Sequence, residues 1–168
     1  GSDVYIHACY SDLPALLVDR NLNIHQWPYK SPTNAVEYPP ITAMVMWGTS
    51  FLVKHDFNQY RAYFDINAIL IALIFIFVIV LLKKMSPKYW YASALAPAVI
   101  ASLFINWDLW AVAPALIAIY WFDKKLYNKS ALALGISIAT KFFPIVLLLP
   151  ISLILWNKRK ELIKYNAT

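Results

Sequence analysis

Residues 66–82, INAILIALIFIFVIVLL, run without a charged side chain. A helix of roughly 20 consecutive apolar residues crosses the hydrocarbon of a bilayer, so a run of this kind restricts the chain to few solutions. Three more runs follow at 89–105, 109–122 and 130–156. Hydrophobic residues make up 61% of the 168 positions and charged residues only 14%, a balance foreign to soluble domains. The expected fold is therefore all-α and membrane-integral, a polytopic helical bundle. A fifth run, 39–53, is too short to cross and is expected to lie in or dip into the outer leaflet.

The net charge of +6 could suggest nucleic acid, but the basic residues sit in short clusters between apolar runs. That placement marks cytoplasmic loops rather than a phosphate-binding face. Lys83, Lys84 and Lys88 follow the first run, and Lys124, Lys125 and Lys129 follow the third. Lys158, Arg159, Lys160 and Lys164 follow the fourth. With all of these inside the cell, residues 1–65 form an external segment of short interfacial helices and 66–168 form the transmembrane region. The turn Asn106-Trp107-Asp108 falls outside as well. The run 130–156 then begins and ends on the same side, which predicts two broken helices meeting near Lys141. The rival is one long kinked helix that carries the C-terminus outside.

Acidic residues gather on the external side: Asp3, Asp12, Asp19, Glu37, Asp56, Asp65 and Asp108. Acidic residues carry little orientation information, so topology does not explain them and a site is expected there. Tyr5, Tyr10, Trp27, Tyr29 and Tyr38 suit the membrane interface. Ser11-Asp12-Leu13-Pro14 reads as a helix start, with Ser11 or Asp12 as the cap. Leu13, Leu16, Leu17 and Arg20 continue it as a short amphipathic helix. Pro39-Pro40 launches the next helix. Cys9 stands alone, and His7, His25 and His55 are scattered, so neither a disulfide nor a metal-ligand pair is suggested.

Lys141 interrupts an otherwise apolar stretch. A lysine at the centre of a membrane helix costs roughly 2.5–3.5 kcal/mol, and such charges usually mark sites.

Four segments, CYSDLPALLVDRNLNIHQWPY, EYPPITAMVMW, NWDLWAVAPALIAIYW and ATKFFPIVLLLP, occur in that order. Together they resemble the polyprenol-phosphate-mannose-dependent α-mannosyltransferases, glycosyltransferase family 87 of the GT-C superfamily. The likeness covers residues 10–156. It implies a GT-C type membrane enzyme that moves a sugar, mannose by the family, from a polyprenyl-phosphate-sugar donor to a lipid or glycan acceptor outside the cell, with inversion. The partners implied are that donor, a glycolipid or glycan acceptor, membrane lipids and the remaining helices of a longer chain, with neither nucleic acid, metal nor a further cofactor. By the same resemblance Asp12 is the general base, while Arg20, Glu37, Asn106, Asp108 and Lys141 bind substrate, Lys141 at the lipid phosphate. Each has a plainer reading. Asp12 could cap a helix, Glu37 could complement a helix start, and Arg20 or Lys141 could snorkel. Asn106 and Asp108 could serve only as turn residues. The functional alternative is a non-enzymatic helical membrane subunit that binds anionic lipid at Lys141 and docks a partner protein through its external segment.

Overall fold

A computed structural model describes residues 10–168 of the chain; the positions Asp3, Tyr5, His7 and Cys9 lie outside the described residues. Every regular element described is helical. These are α1 (Asp12–Asp19), a 3-10 turn (Leu22–Ile24), α2 (Pro40–Ser50), α3 (Gln59–Met85), α4 (Trp90–Ala94) and α5 (Pro97–Ser102). They continue with α6 (Leu109–Asp123), α7 (Tyr127–Thr140), a 3-10 turn (Phe143–Leu147), α8 (Leu148–Ile154) and α9 (Arg159–Ala167).

Helix α3 grows from the first apolar run. Its 27 residues rise about 40 Å at 1.5 Å each, and among the described residues it alone is long and apolar enough to cross a membrane. It starts at Gln59, so the expected boundary at residue 65 falls within a helix. Arg61 and Asp65 pair across one turn near its start, and Lys83 and Lys84 complement the carbonyl end of its dipole. Tyr63, Asn67, Ile71, Val78 and Leu81 form the buried stripe, whereas Ile69, Leu73, Ile76, Phe77 and Val80 stay exposed.

The other runs are shorter helices than expected. The run 89–105 does not form one crossing helix but splits into α4 and α5. Pro97 is the reason: it forces Ala96 out of the helical region, to ψ 129°. Helix α6 has 15 residues, roughly 22 Å, and holds Pro114 in its interior. The run 130–156 breaks at Lys141, whose backbone is extended at φ −148° and ψ 145°.

Helices α6 and α7 pack antiparallel. Ser137 Oγ donates to the Ala111 carbonyl at 2.7 Å, and Ser130 Oγ donates to the Ala118 carbonyl at 2.7 Å. Ala111, Ala113, Ala115 and Ala118 are buried on α6, as are Ala131 and Ala133 on α7, and such small residues let two backbones approach closely. Past Lys141 the chain turns back. Ile151 and Leu155 join Ala118, Ala131 and Leu134 in one apolar cluster, and Tyr165 of α9 reaches Ser130 at 2.8 Å. A single kinked helix would separate residues 130 and 165 by about 50 Å. The hairpin is the arrangement observed.

A second cluster gathers Leu13, Leu17, Leu22, Met46, Tyr63, Ile71 and Trp107. The leucine face of α1 is thus buried inside the protein rather than presented to an interface. Helix α2, expected in the outer leaflet, likewise buries Thr42, Ala43, Met46, Thr49 and Ser50. Trp107 is not a free loop residue: it is fully buried and donates from Nε1 to Asn67 at 2.8 Å. Asn67 in turn donates to the Tyr63 carbonyl at 2.9 Å, which satisfies the amide inside an apolar helix.

The hairpin is tested by Ser130→Cys with Tyr165→Cys in a Cys9→Ser background. A short bifunctional thiol reagent should link the pair within one chain, seen as resistance to separation after cleavage between them. No linkage would restore the kinked helix.

Candidate functional site

The antiparallel register brings the end of α7 to the start of α6. With Ser137 opposite Ala111, the next turn of α7 places Lys141 beside Asp108, and Lys141 Nζ lies 2.5 Å from Asp108 Oδ1. Helix α2 docks on the same end, where Thr42 Oγ1 donates to the Thr140 carbonyl at 2.5 Å. The residue that leads into α2, Tyr38, is therefore laid against Lys141, with the ammonium 4.3 Å from its ring centroid.

Tyr38 is the junction of the site. Its hydroxyl donates to Asp12 Oδ2 at 2.9 Å, and its ring meets that of Trp107 edge-on at 6.2 Å. Tyr29 Oη donates to the Tyr38 carbonyl at 2.7 Å and holds the backbone. Burial raises the phenol pKa above its ordinary value, helped by the hydrogen bond to Asp12 and by the charges of Asp12, Asp108 and Glu37. Tyr38 is consequently a permanent donor at neutral pH.

Asp12 is not the helix cap. Ser11 takes that role, its side chain accepting from the Leu13 amide at 3.2 Å. The Asp12 carboxylate instead accepts from Tyr10 at 2.7 Å and from Tyr38 at 2.9 Å, and its amide donates to the Ile105 carbonyl at 2.7 Å. The capping alternative is thereby excluded, and the carboxylate is left oriented by two phenols.

Arg20 and Glu37 come together as a two-pronged pair, with Arg20 Nε 3.0 Å from one carboxylate oxygen and Nη2 on the other. The pair closes the intervening loop, and Glu37 stands exposed beside Tyr38. Asn106 accepts from the Asp108 amide at 2.9 Å, the turn bond its residue type favours. Both Asn106 and Asp108 also line a cavity of about 350 Å³ whose other walls include Phe75, Leu82, Val99 and Leu116. The cavity is largely apolar and has these polar groups at one end. Among the described residues no group of three or more His, Cys, Asp or Glu side chains could hold a metal. His25 bonds Ser50 at 3.2 Å and stacks on Phe51 at 4.2 Å.

The structure thus unites Asp12, Asp108 and Lys141 around Tyr38, with Asn106 at the cavity and the Arg20–Glu37 pair alongside. Tyr38 and Tyr10 were legible in the sequence only as interface aromatics; nothing local marks them as partners of Asp12. Comparison with protein families, characterised proteins and solved structures finds no match for the chain.

The raised Tyr38 pKa makes a pH prediction. Below pH 10, the ordinary phenol value, Tyr38 is protonated in both the folded and the unfolded chain and adds no pH dependence. Above it only the unfolded chain releases the proton, so stability falls as pH rises. Unfolding measured from neutral pH to strongly alkaline pH should show this loss, and Tyr38→Phe should reduce it. The same variant should cost about 1 kcal/mol at neutral pH through the lost hydrogen bond.

Proposed function

We propose that the chain is the catalytic part of a multi-pass membrane glycosyltransferase of GT-C type, which takes a sugar from a polyprenyl-phosphate-sugar donor. The observation that carries this reading is a carboxylate and an ammonium supported by the two ends of one tyrosine. Asp12 lies at the Tyr38 hydroxyl, and Lys141 lies over the Tyr38 ring.

The acceptor hydroxyl attacks the anomeric carbon of the donor. Asp12 takes the hydroxyl proton as the new glycosidic bond forms, and Tyr10 and Tyr38 hold its two oxygens in place. The bond from the anomeric carbon to the phosphate oxygen breaks on the opposite face, giving inversion, and its electron pair leaves with the lipid phosphate. Lys141 binds that phosphate and stabilises the charge it gains. The apolar cavity beside Asn106 and Asp108 supports a donor with an aliphatic carrier. Asn106 faces the sugar. Exposed Glu37, held by Arg20, borders the acceptor side. The site lies outside the cell, and mannose is the sugar that the motif resemblance favours. The basic clusters after α3, α6 and α8 lie in the cytoplasm.

One observation favours the alternative, a membrane subunit without catalysis: Lys141 already has an anionic partner in Asp108. Transfer of label from radiolabelled polyprenyl-phosphate sugars in membranes containing the protein decides between them. Asp12→Asn should lower transfer about 10²–10⁴-fold, the range for a positioned general base. Lys141→Met should slow it severely, and Lys141→Arg should recover part of the rate because charge is kept while geometry changes. Unchanged transfer in both Asp12→Asn and Lys141→Met would leave the subunit reading.

Topology is tested separately. In cells, Asn58→Cys should react with an impermeant thiol reagent, whereas Lys125→Cys should react only after permeabilisation. The reverse pattern would place the site on the cytoplasmic side.

A further inference from the structure

We propose that Asp108 is a displaceable counterion: it occupies the anion position of Lys141 until a ligand phosphate arrives, and so sets how weakly the site holds its anions. The inference rests on the reading of Lys141 as the phosphate-binding residue and adds a role opposite to the one expected for Asp108. The family resemblance implies that this residue is among the groups that bind substrate. The structure instead has its carboxylate 2.5 Å from the ammonium that a phosphate would need.

Three features make the carboxylate movable. Its side chain is 51% exposed, whereas that of Lys141 is 17% exposed, so the carboxylate has open space to turn into while the ammonium is enclosed. The Lys141 ammonium is further held by the Tyr38 ring at 4.3 Å, which stays in place when the carboxylate leaves. Asp108 also stands at the cap position of α6 and makes no side-chain capping bond there. A released carboxylate has a second resting place beside it, since the positive end of a helix favours a negative charge. The residue therefore has two stable partners, the lysine in the empty site and its own helix end in the filled one.

The consequence is competitive. An incoming anion must replace a carboxylate already in contact, so its net gain is smaller than its direct attraction to Lys141. A lysine with no counterion would bind donor and departing lipid phosphate alike, and tight binding common to both ends of a reaction does not speed it. Asp108 prevents that and assists release of the lipid phosphate.

The test uses the 168-residue chain in dodecylmaltoside micelles, with farnesyl monophosphate as the probe and farnesol as its uncharged control, followed by calorimetric titration. Asp108→Asn should bind farnesyl phosphate about fivefold tighter, about 1 kcal/mol at 1.4 kcal/mol per factor of ten, and farnesol unchanged. Lys141→Met should weaken farnesyl phosphate, and adding Asp108→Asn to it should then give no tightening. Asp108→Ser, which places a favourable capping residue at the start of α6, carries the same expectation if Asp108→Asn fails to fold. Unchanged or weaker farnesyl phosphate binding in the Asp108 variants, with Lys141→Met still weakening it, overturns the counterion role and leaves the phosphate reading standing. Farnesyl phosphate binding unaffected by Lys141→Met overturns both.

Discussion

Two serine hydroxyls govern where Lys141 and Asp108 meet. Ser130 and Ser137 each donate to an alanine carbonyl on the facing helix, and the alanines around them let α6 and α7 approach closely enough for those bonds to form. The two bonds lie seven residues, about two turns, apart on both partners, so together they admit a single register. That register carries Lys141 to the first turn of α6, where Asp108 stands. A slip of one turn would leave the ammonium against apolar side chains, at a cost of a few kcal/mol in a low-dielectric setting.

The polar groups of the interior are joined in series. Trp107 bonds Asn67, Asn67 bonds the Tyr63 carbonyl, and Tyr63 Oη donates to the Met46 carbonyl at 2.9 Å. This network ties the 106–108 turn, α3 and α2 together directly beneath the site. The tryptophan of the turn is thus an anchor for the fold. Tyr38 uses this anchor. Its ring rests on Trp107, and with that support it presents a hydroxyl to one functional side chain and a π face to another. A cation over an aromatic face gains up to about 2 kcal/mol when desolvated. Part of the cost of burying Lys141 is offset in this way.

The exposed apolar face of α3 contrasts with the inward packing of α1 and α2. Ile69, Leu73, Ile76, Phe77 and Val80 stay exposed, the pattern of a helix with one apolar face turned away from the protein. The leucines of α1, by contrast, are enclosed by α2, α3 and Trp107. Helices read from sequence as lying on a membrane thus build a small core of their own, because the same three-and-four spacing serves either destination.

Several elements could be read from the chain alone. Apolar composition and basic punctuation pointed to helices, the Ser11 region to a helix start, and Lys141-Phe142-Phe143-Pro144 to a break, since these depend on neighbours in sequence. Lengths were harder to read. Pro97 divides a run whose hydropathy looks continuous, and α3 extends through polar residues that hydropathy excludes. The choice between a hairpin and one kinked helix belongs to Tyr165 and Ser130, which meet only after the chain has turned back. The assembly of the site was decided in the same way. Asp12, Tyr38, Asp108 and Lys141 come from four separate stretches, and no local propensity connects them. Local signals act over one or two helical turns, whereas the contacts that give these four residues their chemistry form only when distant helices pack in one register.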